Sequence, residues 1–99
     1  MLSRSEIEDP TAGQTEKTIG QYLAQCNIGS EIAIRDTHTG RLHFKLTMVS
    51  WVHPKNGRLT TAGTSYAGNS WWRRTGRSTW FPKGQAHLVE ATPEIRKFV

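Results

Sequence analysis

Apolar residues fall at Ile19, Tyr22, Leu23 and Cys26. That is the i, i+3, i+4, i+7 spacing of one stripe on an α-helix. The pattern predicts a helix over about residues 15–26. Thr15 can cap its start through the hydroxyl, and Glu16 suits the positive N-terminus. Asn27 and Gly29 tolerate the left-handed conformation that closes a helix. A helix this short persists only when its stripe packs on something else.

Beyond Ser30 the period changes to two. Glu31–Asp36 alternates with Ile32 and Ile34 on one side, and Thr37-His38-Thr39-Gly40 reads as a turn. Leu42, Phe44, Leu46 and Met48 then share one face of Arg41–Val52, with His43, Lys45 and Thr47 on the other. The phase slips at Val49-Ser50-Trp51, which predicts a bulge that bends the strand. His53-Pro54-Lys55-Asn56-Gly57 is a second turn, with Asn-Gly its strongest element. Leu59–Tyr66 reads as an edge strand interrupted by Gly63, followed by a turn at Gly68-Asn69. Two short strands, Trp71–Arg74 and Arg77–Phe81, flank Thr75-Gly76. After Pro82-Lys83-Gly84, Ala86–Ala91 forms the last strand. Thr92 then caps a final helical turn with Pro93 at its first position, leaving Ile95 and Phe98 to pack.

Five or six short strands with one N-terminal helix predict a mainly β (α+β) fold. The expected form is a small barrel or strongly curved antiparallel sheet, with the helix over one opening or face. Residues 1–14 lack hydrophobic periodicity and contain Pro10 and Gly13, so they are expected to be a flexible arm. Residues 15–99 are expected to form a single domain.

Charge refines this picture. The chain of 99 residues carries a net charge of +5, unevenly placed. Residues 1–30 sum to −2, residues 31–90 to +6 and residues 91–99 to +1. The sheet is therefore the basic part, and it favours an anionic partner through long-range attraction and counterion release. The single cysteine, Cys26, excludes an intrachain disulfide and fits a reducing compartment. No stretch approaches the roughly 20 apolar residues of a membrane span. A cytoplasmic protein without membrane partners is the expectation.

Ser70-Trp71-Trp72-Arg73-Arg74-Thr75-Gly76-Arg77-Ser78-Thr79-Trp80-Phe81-Pro82-Lys83 holds three of the four tryptophans and four of the thirteen Lys/Arg residues. Arginine forks onto phosphates, and an exposed tryptophan can stack bases or pack on arginine. Neighbours on a strand face opposite ways, so one of Trp71/Trp72 and one of Trp80/Phe81 should lie outside. Burial is expected for Trp51, Trp72 and Phe81. The candidate binding residues are then Arg73, Arg74, Arg77, Lys83, Trp71 and Trp80, extended by Lys45, Arg41 and Arg58 if their strands lie adjacent.

The order Trp71-Trp72-Arg73, Gly76-Arg77, Trp80-Phe81-Pro82 and Leu88-Val89 is similar to the second half of an SH3 domain. In that family a tryptophan pair precedes a hairpin, and a Phe-Pro step precedes the final strand. The resemblance implies an SH3-like barrel, with Trp71 and Pro82 at positions that line a polyproline groove. The family's Ala-Leu-Tyr-Asp-Tyr opening does not occur in the chain.

Motifs for chemistry are missing. His38, His43, His53 and His87 show no metal-ligand spacing. No carboxylate pair, nucleophile elbow or phosphate-cradling glycine loop occurs. No cofactor, metal or catalytic residue is assigned, and an enzyme would need a constellation assembled in space, such as His43 with Glu90. The chain reads as a small basic binding module. Its partner is nucleic acid, DNA or RNA, engaged through the Trp/Arg hairpin. The alternative is an acidic protein surface, met by an interaction module or an inhibitor or adaptor of phage or plasmid type, or a second copy of the chain.

Overall fold

The computed structural model describes residue 11 and residues 13–38, 40–55, 57–65, 68–81, 83–84 and 86–98. The arm expected over residues 1–14 lies outside the described residues, apart from Thr11, Gly13 and Gln14. Helix α1 spans Glu16–Ala24. Strands β1 (Glu31–His38), β2 (Arg41–Val52), β3 (Arg58–Ser65), β4 (Gly68–Trp72) and β5 (His87–Val89) follow, then helix α2 (Pro93–Phe98). The five strands form one antiparallel sheet in the order β4-β3-β2-β1-β5, curled into a half-barrel. The mainly β fold with an N-terminal helix is as the hydrophobic pattern predicts.

Arg77 and Ser78 span the open seam of the curl. Trp71 bridges to Ser78 and Arg77 bridges to His87, so this short segment touches both edge strands. The second strand expected over Arg77–Phe81 is thus reduced to two bridging residues. Gly76 makes the crossing possible at φ +80°, a conformation costly for any side chain. An added Cβ there would lie 2.8 Å from Ile19 Cγ2 and 2.9 Å from the Leu88 carbonyl.

Both faces of the sheet are used. Cross-strand partners share a face, so the pairs Val49–Thr61, Leu59–Trp71 and Ile34–Leu88 mark the inner one. All six of these residues are buried, with Ile32 beside them. Helix α1 closes this inner core with Ile19, Leu23 and Cys26. The pairs Ala33–Leu46, Ala33–Val89 and Arg35–Phe44 mark the outer face. There α2 packs on β2 and buries Ile95 completely. Arg96 of α2 pairs with Glu31 of β1, and Arg35 Nε donates to Thr11 Oγ1. The apolar face read along β2, Leu42 to Met48, therefore belongs to this second layer, while Val49 turns into the first.

The predicted phase slip is a register shift between Val49 and Trp51. Thr15 caps α1 as expected, accepting from Thr18 N while Thr18 Oγ1 accepts from Thr15 N. The helix ends two residues earlier than its apolar stripe, because Cys26 N already donates to Leu23 O in the terminal turn. Gly68 and Asn69, expected as a turn, begin β4.

Candidate nucleic-acid interface

Trp71 and Trp72 occupy adjacent positions of β4 and split between the faces. The pairing decides which goes where. Trp71 lies opposite Leu59, whose side chain points inward, so Trp71 is fully buried. Its indole N–H donates to the Thr61 hydroxyl at 3.0 Å, which satisfies both polar groups in the core. Trp72 lies opposite Arg58 and is 39% exposed. The expected assignment of this pair is thus reversed: Trp71 is core and Trp72 is outside.

Trp51 also faces out. The bulge carries it onto the outer face opposite Thr60, at 52% exposure. The expectation that Trp51 is buried fails because Val49, on the near side of the bulge, takes the inward position. Phe81, also expected in the core, is exposed together with Trp80. Strand alternation does not govern these two. Ser78 Oγ accepts from both Trp80 N and Phe81 N and turns the chain out of the sheet.

The outer face of β2, β3 and β4 thus presents Trp51, Thr60 and Ser70 in one row and Arg58 and Trp72 in the next. His53 adjoins them, its ring edge-on to Trp51 with centroids 6.5 Å apart and its Nε2 3.5 Å from Thr60 Oγ1. The two outward tryptophans stand across β3 from each other, separated by two strand spacings and two residues, roughly 12 Å between Cα atoms. The segment is uniformly basic: residues 37–89 contain eight Lys/Arg and no Asp or Glu. That run was open to inspection in the sequence. The outward placement of Trp51, Trp72 and His53 was not, since it depends on the bulge and on the β3–β4 register.

The predicted cations scatter. Arg73 is a structural cap: Nε donates to Leu23 O at 2.9 Å, and Nη2 donates to Ala24 O and Cys26 O at 3.0 Å each. These carbonyls close α1, whose last turn carries no basic residue of its own. Arg77 is also tied down, with Nε 2.6 Å from Glu16 Oε1 and Nη1 3.5 Å from Gly84 O. Arg74 and Lys83 are exposed. Arg58 adjoins Trp72. Lys45 pairs with Ile34 and so lies on the inner side of the sheet, opposite to the exposed tryptophans. Arg41 begins β2 at the hairpin end, ten residues and roughly 34 Å of strand from Trp51. The structure therefore brings Arg58 to the aromatic face, leaves Arg74 near it, and places Lys45 and Arg41 elsewhere.

Beside this face runs an open groove of about 720 Å³, between α1 and the turn that precedes β3. Lys17, Gly20, Gln21, Ala24, Gly57 and Arg74 line it, with the Arg73 stem. Cys26 stays on the inner side, where burial pushes its thiol up despite nearby Arg73. Tyr22 is pushed up to about 12, first by burial and then by Cys26 beside it; its hydroxyl donates to Glu31 O at 2.8 Å. Neither group is poised for chemistry at neutral pH. Among the described residues, no three His, Cys, Asp or Glu side chains gather into a metal site, and no helix is long and apolar enough to cross a membrane.

Comparison with protein-family models, curated proteins and solved structures finds no match to this chain.

Proposed function

We propose that the protein binds single-stranded nucleic acid on the outer face of β2, β3 and β4. The observation that carries this reading is the pair of outward tryptophans, Trp51 and Trp72, with Arg58 beside Trp72 in its row, in a segment free of carboxylates. An indole face stacks on any base, and arginine meets the phosphates. A duplex hides its bases from such a platform. A folded protein partner would need carboxylates of its own to match the basic surroundings, and that reading is the competitor in the test.

The test is fluorescence anisotropy with labelled oligodeoxythymidylate, oligouridylate and a duplex of equal length. Stacking contributes about 1–3 kcal/mol per base, so Trp51→Ala with Trp72→Ala lowers single-strand affinity by tenfold or more. Both side chains are exposed, so the variant keeps its fold by circular dichroism. Equal affinity of variant and wild type overturns the assignment of this face. Wild-type protein that binds none of the three probes overturns nucleic-acid binding and leaves the acidic protein surface.

A further inference from the structure

The groove beside α1 has three features that bear on a ligand. Its charge is of one sign: Lys17, Arg73 and Arg74 line it and no carboxylate does. Its floor is low at Ala24 and Gly57, which offer almost no side chain, while the Arg74 backbone packs directly on Gly20. Its repulsive elements are already occupied. The carbonyls that end α1 would oppose an anion, but those of Leu23, Ala24 and Cys26 accept from Arg73. Glu16, the acidic residue in the first turn of α1, pairs with Arg77 instead. Among the described residues neither Lys17 nor Arg74 meets a carboxylate.

The groove also joins the aromatic face. Gly57 immediately precedes Arg58, and Arg73 immediately follows Trp72. The two strand ends are held together by Arg73 N donating to Gly57 O at 2.8 Å.

We propose that this groove is an anion-binding track that holds phosphates of the single strand, with Lys17 and Arg74 as the contacting cations. The assignment of the ligand as a nucleic-acid strand rests on the function proposed above; the anion site itself rests on the groove. Specificity then divides between the two surfaces. The tryptophans take bases, and the groove fixes the course of the backbone and supplies the salt dependence.

The experiment uses the full chain and the same oligodeoxythymidylate probe across a series of salt concentrations. Each phosphate contact adds about 0.7 to the slope of log affinity against log salt for single strands. Lys17→Gln with Arg74→Gln should therefore flatten that slope by about 1.4. The control is Arg41→Gln with Lys45→Gln, which removes the same charge away from the groove and the aromatic face and should leave the slope nearly unchanged. A groove variant indistinguishable from the control overturns the track while the aromatic face stands. If wild-type protein binds no oligonucleotide, the proposed function has failed, and inorganic pyrophosphate decides the groove by amide NMR. Shifts at Gln21, Gly57 and Arg74 in the wild type, lost in the groove variant, sustain an anion site. No shift there overturns it.

Discussion

Replacing Arg73 by alanine separates a structural arginine from a binding one. The side chain reaches across from the turn after β4 and donates three hydrogen bonds to carbonyls at the end of α1. The bonds to Leu23 and Cys26 are part-buried, whereas the Ala24 bond is exposed and water can replace it. Two charge-assisted bonds therefore set the loss, about 3 kcal/mol. A domain of this size holds only about 5–15 kcal/mol in total. The melting temperature should fall by roughly 12–24 °C, at about 4–8 °C per kcal/mol. Arg73→Lys keeps the charge but not the planar fork, and an ammonium cannot span three carbonyls at once, so about half of the loss should remain. Calorimetry measures the shift, and amide exchange over residues 23–26 shows whether the helix end opens first. Should Arg73→Ala melt within about 2 °C of wild type while losing oligonucleotide affinity, the cap contributes nothing and Arg73 is a contact residue.

Two further predictions test the packing of α1. Gly20→Ala places a Cβ 2.0 Å from the Arg74 carbonyl oxygen, so helix and turn must separate. Urea unfolding should show a loss of about 2 kcal/mol even though alanine favours helix, whereas Gly13→Ala, which meets nothing within 4 Å, should be neutral. Tyr22 keeps its proton to about 12 when folded, against 10.0 when unfolded. Below pH 10 both states hold that proton and stability is unaffected. As pH rises from 10 towards 12 the unfolded state releases it first, so stability falls. Ultraviolet titration of the Tyr66→Phe variant follows Tyr22 alone; a midpoint at 10 removes the effect.

The sequence by itself determined the first helix and the first two strands, because each rests on local physics. The 3.6-residue stripe of Ile19, Tyr22, Leu23 and Cys26, the Thr15 cap, the alternation along β1 and β2 and the phase slip at Val49-Ser50-Trp51 are all local signals. The curling followed from five or six short antiparallel strands at turn spacings, of which the structure forms five. It also determined that residues 37–89 carry basic side chains and no carboxylate.

Only the tertiary structure decided which way the tryptophans face and which arginines are free. Alternation says that Trp71 and Trp72 differ, but not which is inside. That was settled when β4 paired with β3 in the register that sets Trp71 against Leu59. Trp51 was turned out by the bulge, and Trp80 and Phe81 by the Ser78 hydroxyl, neither of which follows a period of two. Arg73 looked like the centre of a binding hairpin, yet a helix 49 positions away in sequence claims it, because unpaired carbonyls beside a guanidinium outcompete water. The surfaces proposed for a partner are the outer face of β2, β3 and β4 and the groove of Lys17 and Arg74. Both are assembled from segments that no local pattern joins.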